Sequence, residues 1–228
     1  MSTVENLFFH ILSYSFLLPV LSFFIFFNRL KSKKVAIIIS TYSLIIFLLL
    51  FFDDFLSQHY RKIYTTFYTT VEYSCFSYVI GQVIRSRTFK RLILYLSIIF
   101  VLFEILYFFV GHFHSIDSVP IGIETILILV YTFYLFYEQF QTMEAVYIYT
   151  NYWFWIIVGI LFYLSSSFFF YILANNNYKT ASEYWFLTYI FETIKNILFV
   201  IGFVFFARKS DNDKKDSSTI PYLDMVNP

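Results

Sequence analysis

Apolar residues run along this chain in blocks of roughly 20, separated by short polar or charged breaks, which is the spacing of helices that cross a bilayer. The blocks predict spans at 7–27, 35–52, 63–84, 92–110, 120–137, 152–173 and 185–207. Pro19 falls inside the first block and is expected to kink that helix. No Lys or Arg precedes the first block, no small-residue cleavage site follows it, and Arg29, Lys31, Lys33 and Lys34 come after it. It is therefore expected to stay as helix one instead of being removed as a signal peptide. The expected fold is all-α: a polytopic seven-transmembrane-helix bundle over 1–207, followed by a polar cytoplasmic tail, 208–228, expected to be disordered.

Composition narrows the class further. Of 228 residues, 59% are hydrophobic and 14% charged, with a mean hydropathy of +0.68, whereas soluble domains carry roughly 25% charged residues. Seven spans with short loops leave no room for a separate soluble catalytic domain, so any chemistry is expected within the bundle. The formal net charge is +1, and no basic surface of the nucleic-acid-binding kind is present, so nucleic acid is not an expected partner. Cys75 is the only cysteine and cannot form an intrachain disulfide. The 33 Phe and 21 Tyr are read as lipid-facing and interfacial residues. With five Gly, packing cannot rely on repeated small-residue seams, although Gly159 and the Ser165, Ser166, Ser167 run permit one close approach on helix six.

The basic residues choose an orientation. Arg29, Lys31, Lys33 and Lys34 follow span one, Arg85, Arg87, Lys90 and Arg91 follow span three, and Arg208, Lys209, Lys214 and Lys215 follow span seven. Only Arg61, Lys62 and Lys179 fall on the other side, and twelve against three predicts N-terminus out and C-terminus in. The expected location is the cytoplasmic (inner) membrane. The connection between spans five and six departs from the pattern, carrying Glu138 and Glu144 with no Lys or Arg.

Six ionisable side chains interrupt the apolar blocks: His10, Glu72, Glu104, Glu124, Glu192 and Lys195. A charge at mid-bilayer costs roughly 2.5 to 3.5 kcal/mol even on the lenient insertion scale, so such residues turn inward and mark a site or pathway. At 1.5 Å per residue from the outer end of each span, His10 lies about 5 Å deep, Glu124 about 6 Å, Glu104 about 9 Å, Glu192 about 10 Å, Glu72 about 13 Å and Lys195 about 15 Å. Glu192 and Lys195, three apart, share one helical face, and Glu72 shares the depth of Lys195. The expected arrangement is an outward-facing polar cavity with Glu72, Lys195 and Glu192 as its floor and Glu104, Glu124 and His10 in its walls. Four carboxyl groups against one ammonium leave a surplus of negative charge, which suits proton sensing or a cationic ligand. The plainer alternative is an ion pair that only locks helices three and seven together.

Other chemistry finds less support. His112 and His114 with Asp117 carry metal-capable groups, but no ligand spacing fixes a site, and neither metal nor cofactor is expected. Retinal proteins share seven helices and a helix-seven lysine. Here, however, Glu192 precedes Lys195 by three where that family has an Asp four residues before its lysine, and the family's helix-six and helix-three patterns are missing. Helix seven has no His, against the zinc hydrolases of the adiponectin-receptor and ceramidase type, and no Pro-Gln pair occurs, against the PQ-signature transporters. The chain resembles a diffuse set of uncharacterised bacterial seven-helix integral membrane proteins taken to be sensory. The resemblance lies in Phe154, Trp155, Ile156, Ile157, Gly159, Leu161, Tyr163 and Ser165 on helix six, Glu72, Phe76 and Ser77 on helix three, and Lys195, Asn196, Ile197 and Leu198 on helix seven. It implies a fold and a sensory role, with no ligand or catalytic residue to carry over. The expected function is a non-enzymatic membrane sensor or signalling subunit that takes a small ligand or proton and meets a cytoplasmic signalling partner through 208–228. A small proton-coupled transporter is the alternative. A membrane-embedded enzyme using Ser166, His10 and Glu124 stands third, for want of a nucleophile, base and orienter at a recognisable spacing.

Overall fold

Hydrophobic stretches this long, with few glycines or prolines to interrupt them, satisfy their backbone groups as helices, the economical solution where water is scarce. The computed structural model describes residues 3–31, 33–52, 61–110, 118–141, 148, 151–176 and 184–218, and among these it contains helices and no strands. In chain order they are α1 (Thr3–Ser15), α2 (Leu17–Ile25), α3 (Phe27–Leu30), α4 (Lys34–Phe52), α5 (Arg61–Val83), α6 (Arg87–Val110), α7 (Ser118–Phe140), α8 (Tyr152–Asn176) and α9 (Phe186–Ser218). Six stretches are long and apolar enough to cross a membrane: Glu5–Ile25, Lys34–Phe52, Arg87–Phe109, Val119–Phe140, Tyr152–Phe170 and Phe186–Arg208. The block expected as the third span corresponds to α5, which is 23 residues long but carries Thr65, Thr66, Thr69, Thr70, Glu72, Ser74 and Ser77.

The first block is one path broken twice. A turn at Phe16 separates α1 from α2, and another at Phe26 separates α2 from α3. The first break lies three residues before Pro19, where the proline ring crowds the carbonyl of Ser15 and offers it no N–H. The Ser15 side chain is buried there: its hydroxyl donates to the Leu12 carbonyl at 2.7 Å and accepts from the Asn196 amide of α9 at 2.8 Å.

The helices form a ring in which α1 and α2 pack on α4 and α9, α4 on α5, α5 on α7, α7 on α8 and α8 on α9, with α6 attached outside against α5. The α6 span is the least buried of the six. The α8–α9 seam is the closest. A Cβ on Gly202 would meet the Tyr152 carbonyl oxygen at 2.8 Å, and one on Gly159 would meet the Leu198 Cβ at 3.2 Å. The close approach anticipated at Gly159 thus exists, and Gly202 supplies its other half. Helix α5 holds the centre with a buried face of Thr69, Glu72, Tyr73, Phe76 and Ile80, the three- and four-residue spacing of one helical stripe.

Two extensions depart from expectation. Helix α6 begins at Arg87, five residues before the expected 92, because its basic first turn continues the helix beyond the apolar stretch. Helix α9 runs to Ser218, so residues 208–218 of the segment expected to be disordered continue the helix instead. No Gly or Pro interrupts the chain between Gly202 and Pro221, and polar residues alone do not end a helix already under way. Residues 219–228 lie outside the described part.

Candidate functional site

The ring brings α4, α5, α8 and α9 to one buried point. Lys195 of α9 is fully enclosed, and an ammonium removed from water needs acceptors. It donates to the Tyr42 hydroxyl at 2.8 Å, to Glu192 Oε1 at 3.2 Å and to Glu72 Oε1 at 3.4 Å. Tyr42 passes its own proton on to Glu72 Oε1 at 2.6 Å, and Tyr163 donates to Glu72 Oε2 at 3.2 Å. Tyr68 donates to Glu192 Oε1 at 2.6 Å. Around the ammonium stand the Tyr163 ring, with its centroid at 4.0 Å, and the rings of Tyr42, Phe16 and Phe76 at 5.1 to 5.6 Å. Aromatic faces carry negative potential and stabilise a cation that water no longer reaches.

Above this network lies a cavity of about 230 Å³. Its lining runs from Glu72, midway along α5, to Tyr64 in the first turn of that helix and Trp185 just before α9, a rise of about 12 Å along α5. Three carboxyl residues line it, Glu72, Glu124 and Glu192, together with the aromatic side chains of Phe9, Tyr64, Tyr68, Tyr163, Trp185 and Tyr189. No Lys or Arg is among the described lining residues; Lys195 lies behind the floor. Glu124 is 1% exposed, and neither its Oε1 nor the buried Ser167 hydroxyl on the same wall has a hydrogen-bond partner among the described residues. A buried carboxyl oxygen and a hydroxyl left in this condition are costly unless a guest satisfies them.

The six ionisable residues singled out in the sequence therefore separate. Glu72, Glu192 and Lys195 meet directly, and Glu124 joins them across the cavity, with Glu72, Glu104 and Lys195 as its electrostatic neighbours. Glu104 is buried on the peripheral α6 and does not line the cavity. His10, expected in the wall, is exposed on α1 with its ring edge-on to Phe9. The reason is helical phase: Phe9 and Leu12 face the cavity, and His10 is turned away from both. His112, His114 and Asp117 lie outside the described residues, as does Glu144. Ser166, considered for an enzyme, is one residue from the cavity-lining Ser167, with His10 facing outward.

Tyr42, Tyr68 and Tyr163 belong to the network and were not among the residues singled out by charge. Depth could have disclosed two of them. Tyr42 and Tyr163 each lie about 15 Å from the outer end of their expected spans, the level computed for Lys195. Tyr42 also sits within Ser40, Thr41, Tyr42, Ser43, a polar patch in an otherwise aliphatic helix.

At the opposite end, Glu138 accounts for the acidic departure from the basic pattern. Its Oε2 accepts from the Arg85 backbone N–H at 2.6 Å and its Oε1 from the Ser86 N–H at 2.8 Å, so it fastens the α5–α6 link to the end of α7. No family model matches the chain, and no curated protein or solved structure matches it.

Proposed function

We propose that the protein is a seven-span sensor of the cytoplasmic membrane, N-terminus out and C-terminus in, whose cavity receives a small organic cation in competition with protons. In this reading α5 is the seventh span. Its polarity is that of a helix surrounded by other helices, which need not be apolar toward lipid. The observation that carries the proposal is the mismatch between the cavity and its counter-charge: among the described residues, three Glu and six aromatic residues line the space, no Lys or Arg lines it, and Lys195 is behind the floor. An ammonium group seated among carboxylates and aromatic faces is the chemistry such a wall recognises.

Transmission follows from continuity. A guest cation competes with Lys195 for Glu72 and Glu192, and Lys195 belongs to a helix that continues about 35 Å further, to Ser218. A changed pairing at Lys195 thereby biases the position of α9 and of its polar extension, where a cytoplasmic partner would read it. Spin labels at Ser210 of α9 and Thr88 of α6 in nanodisc-embedded protein test this. Tetramethylammonium and primary amines are expected to change the interlabel distance, and an unchanged distance under saturating, independently verified binding would remove the sensing role.

The transporter alternative draws on one further feature: a second cleft at the other end of the bundle, separated from the first by the packed layer of Tyr73, Phe76, Ile80, Phe199 and Phe203. Two half-channels with a closed layer between them is the form of a carrier in one state. Amine-dependent proton flux in proteoliposomes decides for it, and binding without flux decides for the sensor.

A further inference from the structure

The second cleft has chemistry of its own. It encloses about 500 Å³ and is lined by Lys33, Lys34 and Arg85 together with the amide side chains of Gln82, Gln139 and Asn151. Two helix N-termini, of α4 and α8, and two C-termini, of α5 and α7, meet at this end, so their macrodipoles nearly cancel. The side chains then decide the sign, and the described lining residues supply three cations and no carboxylate. The nearest acid on α7, Glu138, has both oxygens committed to the Arg85 and Ser86 N–H groups, which directs its charge into the link between helices. Lys33 is held in place with its ammonium 5.2 Å from the centre of the Phe206 ring.

The level of the cleft matters as much as its charge. Lys34 is the first residue of its span and Arg85 lies two residues beyond the end of α5, so in the seven-span reading the cations stand where helices leave the hydrocarbon and meet headgroups. Fixed cations with amide donors between helices, at headgroup depth, hold phosphate oxygens through charge and hydrogen bonds together.

We propose that this cleft is a binding site for a phosphate-bearing anion, supplied either by the headgroup of an anionic phospholipid or by a soluble phosphate ester. The site is separate from the aromatic, carboxylate-lined cavity, and occupancy of one does not require the other.

Native mass spectrometry of the full chain tests it. One arm uses nanodiscs containing phosphatidylglycerol in phosphatidylcholine and counts retained phosphatidylglycerol. The other uses phosphatidylcholine alone with added glycerol 3-phosphate. The probe variant is Gln82→Glu: Gln82 is exposed, and the change leaves every Lys and Arg in place, so the charges that orient the protein are untouched. The control is Thr88→Glu, which adds the same charge at an exposed position on the same end that does not line the cleft. Gln82→Glu is expected to weaken retention roughly fivefold, the factor that one charge near such a surface is worth, with Thr88→Glu close to wild type. Retention in the first arm alone assigns a lipid headgroup, and retention in the second assigns a soluble phosphate ester. No retention in either arm, or equal loss in the two variants, overturns the proposal.

Discussion

Replacing Lys195 with Met removes a fully buried cation from the centre of the bundle while nearly preserving its volume. In the native protein the ammonium faces Glu192 at 3.2 Å and Glu72 at 3.4 Å. At an effective dielectric near 20 each such pair is worth about 5 kcal/mol of attraction. Enclosing the ammonium costs several kcal/mol in lost hydration, so the pair is worth far less net than its attraction. Removing one partner is a different matter, because Glu72 and Glu192 stay buried with their mutual repulsion uncompensated. Breaking a buried pair in this way costs about 3 to 5 kcal/mol. The Tyr163 ring, 4.0 Å from the ammonium, loses its cation as well, but that contact is part of the same truncation cost and is not added to it. The expected result for Lys195→Met is a loss of about 3 to 5 kcal/mol near neutral pH in reversible unfolding by denaturing detergent. The loss should shrink on acidification, since protonated carboxyls no longer repel. Adding Glu72→Gln and Glu192→Gln to Lys195→Met should recover most of it, because a neutral amide can still accept from Tyr42 or Tyr68. A single variant as stable as wild type, or a triple variant no better than the single, would refute the view that these charges depend on one another.

Gly202→Val should destabilise the α8–α9 seam by about 1 to 3 kcal/mol, since the obstacle to its Cβ is the Tyr152 backbone oxygen at 2.8 Å and not a side chain that can turn; an unchanged midpoint in the same unfolding assay would contradict the close packing. Glu138→Gln retains an acceptor but loses its charge, and should cost about 1 kcal/mol and raise amide exchange at Arg85 and Ser86. Uptake of tetramethylammonium should weaken as pH falls, because protons and the guest compete for the same carboxylates. In Glu124→Gln that pH dependence should flatten, and a pH profile identical to wild type would remove Glu124 from the cavity's chemistry.

The sequence disclosed this site unevenly, for physical reasons. Glu72, Glu192 and Lys195 could be grouped because cost in hydrocarbon and depth along a helix are both readable from spacing, and those two quantities suffice when helices run nearly straight through a bilayer. His10 shows where depth stops being informative. It sits at a plausible height, but which way it faces depends on the rotation of α1 about its axis, set by packing on α4 and α9. Tyr42, Tyr68 and Tyr163 were hidden by abundance, since among so many aromatic residues those donating to carboxylates do not differ in kind from those facing lipid. The break at Phe16 could be anticipated from Pro19, but the Ser15 to Asn196 contact that the break allows could not, because it joins residues far apart in sequence. Helix α9 continued past Arg208 because apolar patterning marks the end of a span, not the end of a helix.

Calorimetry of purified, nanodisc-embedded protein titrated with tetramethylammonium, repeated in buffers of different ionisation enthalpy, is the most direct test of the cationic cavity. The expected result is one site per chain, release of protons on binding, and loss of the heat signal in Glu124→Gln combined with Glu72→Gln in a protein that remains folded. Absence of binding by tetramethylammonium and small primary amines, or binding that persists unchanged in that double variant, would contradict it and leave the buried charges as a structural lock between α5 and α9.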